Sequence, residues 1–246
     1  MRSSRIFCPE LSSPRYKCTN IKQIHHLAKV LRLRPNDSIE LFDGRGNVAK
    51  GNIHKIGKSH IDIDIGYISS VKNPYQRHYQ AVIPYIKKEN LMYSVQKLVE
   101  IGAHSILIYK PNKLDQSLAK RDLSKLNIQV EGAVIAACEQ SGCNFLPKIT
   151  YFNGLKESIH AIEEQGDLEG VFVLDTIAKQ FITDHESLSA NNISLISGPE
   201  SGFSETERLI MSALELKTLK IGHYILRAET APIIGLTKFH NLFGEY

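Results

Sequence analysis

The hydrophobic positions change their period part-way along the chain. In residues 38–65 the apolar residues alternate with polar ones: Ile53, Ile61, Ile63 and Ile65 are each flanked by polar or charged side chains. That period of two predicts half-buried strands. Arg5-Ile6-Phe7 begins an extended segment that Pro9 interrupts, Ser38 to Phe42 reads as a strand, and Asp43-Gly44-Arg45-Gly46-Asn47 reads as a glycine-rich hairpin turn. One helix is predicted in this part, Ile21 to Arg32. Ile21, Ile24, Leu27, Ala28 and Leu31 share a face, and Lys22, His25, His26, Lys29 and Arg32 lie on the other. Short strands joined by regular turns predict a small barrel.

After a linker at 69–77 the pattern alternates between strand and helix. Strands are expected at Tyr79 to Ile86, broken near Pro84, and at Ser105 to Tyr109, Val171 to Leu174 and Ile193 to Ile196. Helices are expected at Lys88 to Ile101, ended by Gly102, at Arg121 to Gln140 despite Gly132, and at Ala231 to Phe243. This alternation predicts an α/β domain with a mostly parallel sheet, whose ligands sit beyond the carboxyl ends of strands. The expected division is residues 1–72 and 73–246.

Two loops at strand ends stand out. Gly198-Pro199-Glu200-Ser201-Gly202 leads into Ser204 and Glu207, which have the spacing of a capping box. About twenty residues on, Ile221-Gly222-His223-Tyr224 precedes Ile225 to Ala231, with Thr230 as the expected cap of the last helix and Pro232 in its first turn. Neither loop has the spacing of the two common phosphate-binding glycine motifs.

Charge adds a further asymmetry. Residues 1–72 hold 13 Lys and Arg against 6 Asp and Glu, a balance of +7, while the remainder holds 17 against 20, a balance of −3. A basic first part suggests contact with a polyanion. No apolar run approaches the roughly 20 residues of a membrane span, and residues 1–10 show no secretory pattern. Cys8, Cys18, Cys138 and Cys143 form no C-x-x-C pair and no zinc spacing. Reduced thiols, a cytoplasmic protein and no metal are the expectations.

Taken in order, the two loops resemble the C-terminal motifs of the SPOUT-class RNA methyltransferases. The nearest resemblance is to the bacterial family that methylates N3 of a uridine in the 16S RNA of the small ribosomal subunit. Three further stretches carry it. HHLAKVLRLRPND followed by ELFDGRGN resembles that family's PUA-like RNA-binding barrel. Gln96 to Gly102 and Ala136 to Gly142 resemble its helix-ending motifs.

The resemblance implies a PUA-like β-barrel before a SPOUT-type α/β domain with a deep C-terminal trefoil knot. It implies a homodimer and S-adenosylmethionine as methyl donor. The donor pocket is then expected from Leu174, Asp175, Ser197, Gly198, Pro199, Glu200, Ser201, Gly202, Ile221, Gly222, Tyr224, Ile225, Leu226 and Ala231. Arg227, Glu229 and Gln140 are the candidate catalytic residues. Arg2, Arg5, His25, Arg32 and Arg34 are the candidates for RNA phosphate.

The chain departs from the family pattern at Ser201, where a third glycine is usual, at Cys143 and Tyr224, where arginine is usual, and at Gln129-Val130, where Arg-Trp is usual. Two other functions stay open: a methyltransferase of this fold with another RNA target, and an RNA-binding protein that keeps the fold without the activity.

Overall fold

The computed structural model describes residues 4–12, 14–120, 122–166, 168–182 and 190–245, with the Ser117 side chain excepted. It divides into two compact units. One comprises residues 1–73 together with 138–146, and the other residues 74–137 and 147–246.

The first unit is a five-stranded sheet in the order β1-β3-β4-β5-β2. Its strands are β1 (Ser4–Phe7), β2 (Arg15–Cys18), β3 (Ser38–Phe42), β4 (Asn47–Ile56) and β5 (Ile61–Ser70). β1 pairs parallel with β3, and the other pairings are antiparallel. The alternating isoleucines close the interior: Ile53, Ile61, Ile63 and Ile65 are buried with Ile6, Ile39 and Leu41. Asp43 explains the tight β3–β4 turn. Its carboxylate accepts from the backbone N–H of Arg45 (2.8 Å) and Asn47 (3.0 Å) and from Asn47 Nδ2 (2.8 Å).

The predicted helix at 21–32 is shorter and less regular than its periodicity implies. α1 spans Ile21–His25, capped by Asn20, whose side chain accepts from Lys22 N and Gln23 N. It continues as a π-helical turn, His26–Val30. Arg32 then takes φ +54°, an uncommon conformation for a residue with a Cβ, and ends the helix. The apolar spacing cannot distinguish a 3.6-residue turn from a π turn over so few residues.

The second unit is a seven-stranded sheet in the order β10-β12-β9-β11-β6-β7-β8, parallel throughout. β6 (His78–Pro84) ends at its proline, where the break was expected, and Tyr85 N still donates to Tyr109 O at 2.8 Å. α2 (Lys88–Glu100) follows, and Gly102 at φ +85° turns the chain into β7 (Ser105–Tyr109). A one-turn α3 (Gln116–Ala119) precedes α4 (Leu123–Ser141), which starts two residues later than expected. Arg121 is outside the described residues. β8 (Lys148–Phe152), α5 (Leu155–Glu163) and β9 (Val171–Leu174) come next. The sheet is completed by β10 (Gln180–Phe181), β11 (Asn192–Ser197), α6 (Glu205–Ala213) and β12 (Lys217–Lys220), and α7 (Ala231–Leu242) ends the described fold.

The strands β6, β7, β9 and β11 are buried along nearly their whole length. Continuous apolar runs of this kind belong to parallel sheets covered on both faces. α7 covers one face, packing on β11, β6 and β9 and beside α2. It comes so close that a Cβ at Gly235 would stand 2.9 Å from Leu174 Cδ1. Leu236 and Phe239 are fully buried in this unit's own core. The apolar side chains of α7 are therefore largely used in this unit's own core, while Ile234 stays 37% exposed. Thr230 precedes α7 in a helical conformation and its side chain makes no cap hydrogen bond, unlike the expectation.

Candidate functional site

All seven strands run the same way, so the loops after β9, β11 and β12 emerge on one edge. The register aligns Ser197 with Leu174, and Leu174 with Leu219. β9 thus lies between the two glycine loops.

An open cleft sits at the ends of β9 and β12. It is lined by 174–176, 219–226 and Ala231. Sites for small molecules commonly take this place in parallel sheets. Of the expected pocket residues, the cleft brings together Leu174, Asp175, Ile221, Gly222, Tyr224, Ile225, Leu226 and Ala231. It adds Thr176, Leu219, Lys220 and His223, which the sequence reading left out. Contiguity with the second loop and with Asp175 was the available signal for them.

The first loop behaves differently. Ser197, Gly198, Pro199, Glu200, Ser201 and Gly202 do not line the cleft. Ser197 is buried, and its carbonyl accepts from Tyr109 Oη at 2.9 Å. A Cβ at Gly198 would meet the Phe203 ring at 3.1 Å, so this glycine serves the loop's own packing. Gly202 has φ +69°, and Ser201 stays outside the left-handed region, with its hydroxyl donating to Lys113 O at 3.3 Å. Serine therefore replaces the usual glycine without backbone strain. The capping box is formed as predicted: Glu207 N donates to Ser204 Oγ (3.1 Å), and Ser204 N donates to Glu207 Oε2 (2.7 Å). Glu207 also accepts from Asn112 N at 3.1 Å, which ties the loop to the end of β7.

Gly222 is the opposite of Gly198. Apart from its two chain neighbours, no residue comes within 4 Å of the place its Cβ would take, although the residue lines the cleft. The missing side chain leaves cleft volume open and exposes backbone polar groups to a ligand. Tyr224 and Ile225, also lining residues, are 89% and 81% exposed.

The candidate catalytic residues fall in two places. The Arg227 side chain is 83% exposed, with Nη1 4.0 Å from Glu229 Oε1. Glu229 is buried, and its Oε2 has no hydrogen-bond partner. An unsatisfied buried carboxylate oxygen is costly and needs an explanation such as a role in the site. Gln140 lies on the last turn of α4, in the segment that folds with the first unit. Among the described residues no group of three or more His, Cys, Asp or Glu is placed to hold a metal ion.

Of the candidate phosphate contacts, His25, Arg32 and Arg34 are exposed, together with Lys22, His26 and Lys29. Arg5 is not available. Its Nε pairs with Glu40 at 2.6 Å, Nη1 donates to Cys138 O at 2.9 Å, and Nη2 donates to Asn144 Oδ1 at 2.5 Å. The guanidinium stacks over Phe42 at 4.5 Å. Arg2 lies outside the described residues.

The RNA methyltransferase domain family matches residues 73–240, which hold the whole parallel sheet and the cleft. The chain belongs to the RNA methyltransferase family. The RNA methyltransferase PUA domain matches residues 19–66, within the antiparallel unit. Among relatives, ribosomal RNA small subunit methyltransferase E 1 of Borreliella burgdorferi is 28% identical over 217 residues, 87% of each chain. Ribosomal RNA small subunit methyltransferase E of Rickettsia conorii is 27% identical over 236 residues, 91% of this chain and 88% of its own.

The structure of a ribosomal RNA small subunit methyltransferase E from Neisseria gonorrhoeae, bound to S-adenosyl methionine, is also similar. It is 25% identical with a TM-score of 0.83, covering 98% of both chains. A Legionella pneumophila structure solved with SAM shares the fold at 23% identity and a TM-score of 0.89, again over 98% of both chains. The antiparallel unit is thus PUA-like and the parallel unit carries the methyltransferase domain, as the resemblance implied.

Proposed function

We propose that this chain transfers a methyl group from S-adenosylmethionine to N3 of a uridine in the 16S RNA of the small ribosomal subunit. The observation that carries this reading is Gly222, a glycine in the cleft wall whose absent side chain leaves open space. The SAM bound to the Neisseria relative supports the donor. The names of the relatives support small-subunit ribosomal RNA as acceptor.

The residues present fit the donor. Leu174, Leu219, Ile225 and Leu226 offer apolar walls for an adenine, and the backbone at 220–226 offers polar groups for its edges. The donor, when bound, supplies a methyl group on a cationic sulfur that is already a strong electrophile. What remains for the protein is positioning and management of one proton. Holding both partners in line accounts for much of such catalysis. The exposed Arg227 guanidinium stabilises the uridine anion left when N3 loses its proton, and Glu229 Oε2, buried and unpartnered, takes up that proton. Gln140 hydrogen-bonds the base.

In the same proposal residues 1–72 supply RNA affinity and 73–246 the chemistry. The exposed strip of Lys22, His25, His26, Lys29, Arg32 and Arg34 supports the first assignment. The C-terminal segment is threaded as a trefoil knot, and two chains pair in the cytoplasm. Exposed Tyr224, Ile225 and Ile234 provide apolar surface for the pairing. Light scattering at micromolar concentration tests it, and a fully active monomer refutes it.

The deciding experiment incubates the protein with methyl-labelled donor and either naked or subunit-bound 16S RNA, then maps the labelled nucleotide. Label at one uridine N3 is the expected result. Label on another base, or none with either substrate, overturns the proposal.

A further inference from the structure

We propose that Cys143 is a peroxide-reactive thiol and that Cys138 resolves it, so that oxidation closes a disulfide across the C-terminal turn of α4. This goes beyond methyl transfer and does not depend on it.

The geometry comes from the way α4 ends. Gly142 takes φ +90°, and its N–H donates to Cys138 O at 3.2 Å. A left-handed glycine at this place reverses the chain, so the residue after it folds back over the last helical turn. Helix ends of this type commonly set an apolar contact there. Here the two residues that meet are cysteines. Both thiols converge on one carbonyl: Phe145 O lies 3.1 Å from Cys143 Sγ and 3.9 Å from Cys138 Sγ. Arg5 fixes the same turn from β1, through Cys138 O and Asn144 Oδ1.

The two thiols are not equivalent. Cys138 is fully buried and Cys143 is partly exposed. Cys143 is held below the usual thiol range, first by the hydrogen bond from Cys138, with a backbone hydrogen bond at Phe145 and the Arg5 charge acting the same way against burial. Cys138 is pushed up, by that shared hydrogen bond and by burial. Cys8, just after β1, and Cys18, at the end of β2, are buried, and burial raises both, Cys8 to about 12. The thiolate is the reacting form, so Cys143 is the reactive thiol among the four.

The chemistry balances with hydrogen peroxide as oxidant. The Cys143 thiolate attacks one peroxide oxygen. The O–O bond breaks, a sulfenic acid forms, and the departing hydroxide takes a proton to become water. Cys138 Sγ then attacks the Cys143 sulfur, and its proton leaves with the expelled hydroxide as a second water. The two sulfurs have lost two electrons and the peroxide has gained them.

The test uses the whole protein, exposed to peroxide, quenched with an alkylating agent and mapped by mass spectrometry. Trypsin leaves both cysteines on one peptide, residues 126–148. The expected result is loss of two hydrogens on that peptide, reversed by dithiothreitol, while Cys8 and Cys18 remain alkylatable. Cys143 is expected to react on the order of tenfold faster than Cys8 at neutral pH. In Cys138→Ser, Cys143 is expected to stop at a sulfenic acid that dimedone traps. The proposal is overturned if that peptide stays reduced, gains oxygen without forming the disulfide, or reacts after Cys8 and Cys18. The wild-type measurement reads this without any variant having to fold.

Discussion

The Asp175 carboxylate, at the end of β9, accepts hydrogen bonds from both terminal nitrogens of the Arg208 guanidinium on α6. Asp175 also lines the cleft, so a residue expected to meet the ligand is first of all a strut between sheet and helix. Its side chain is buried, whereas that of Arg208 is 35% exposed. Replacing Arg208 by Met leaves a buried carboxylate without its cation. The 3–5 kcal/mol typical of fully buried pairs is an upper bound, and solvent reduces it here to about 1 kcal/mol. Urea unfolding of Arg208→Met measures this loss, and calorimetry is expected to show weaker donor binding as the end of β9 loosens.

Three glycines separate ligand space from packing space. A Cβ at Gly222 meets nothing, one at Gly198 touches the Phe203 ring, and one at Gly170 would stand 1.9 Å from Asn192 O. Gly222→Val is therefore expected to keep the wild-type melting temperature while donor affinity falls on the order of tenfold or more, at least about 1.4 kcal/mol. Gly170→Ala is expected to destabilise the fold instead. A folded Gly222→Val protein with unchanged calorimetric affinity would remove Gly222 from the donor site.

A histidine cluster predicts how stability depends on pH. His240 is fully buried, stacked on Tyr75 at 4.5 Å and edge-on to Tyr79 at 4.0 Å, and His104 packs 4.9 Å from His78. Arg77 and Glu245 close the group with a 2.6 Å ion pair. Burial lowers His104 and His240 to about 4, the Glu245 charge opposing it in both, and lowers His78 as well. In the unfolded chain these histidines take up protons near 6.5. Between pH 6.5 and 4 the unfolded state therefore binds more protons. The stability present above pH 6.5 is lost as pH falls, by a few kcal/mol in all. Urea titrations at stepped pH check the slope, and His240→Phe is expected to make it shallower.

Arg5 and the α1 strip respond oppositely to loss of charge. Arg5→Met removes three buried polar contacts, to Glu40, Cys138 and Asn144, and is expected to lower stability while RNA binding by the remaining folded protein keeps its salt dependence. Lys29→Ala or Arg34→Ala changes an exposed side chain. Each is expected to leave the melting temperature unchanged and to reduce the salt slope of log affinity by roughly 0.7 to 0.9. Filter binding across a salt series tests both.

The sequence by itself determined the periodic elements. The alternating isoleucines specify strands because a pleated strand turns every second side chain inward. The buried runs at β7 and β9 were legible to the residue, because a strand covered on both faces has no polar position to blur its ends. The Ser204–Glu207 cap was legible because its partners are three residues apart. Most of the cleft lining was legible too: Gly222 and its neighbours form one continuous loop.

Tertiary structure alone decided the rest, and the reason each time is a contact distant in sequence. Arg5 counts as a surface cation until Glu40, Cys138 and Asn144 surround it. Residues 138–146 belong with the first unit although the rest of α4, which they finish and follow, belongs with the other. The first glycine loop packs on Phe203 and bonds to Lys113, a residue 88 positions away from Ser201. Cys138 and Cys143 become a pair only once a left-handed glycine folds one back on the other.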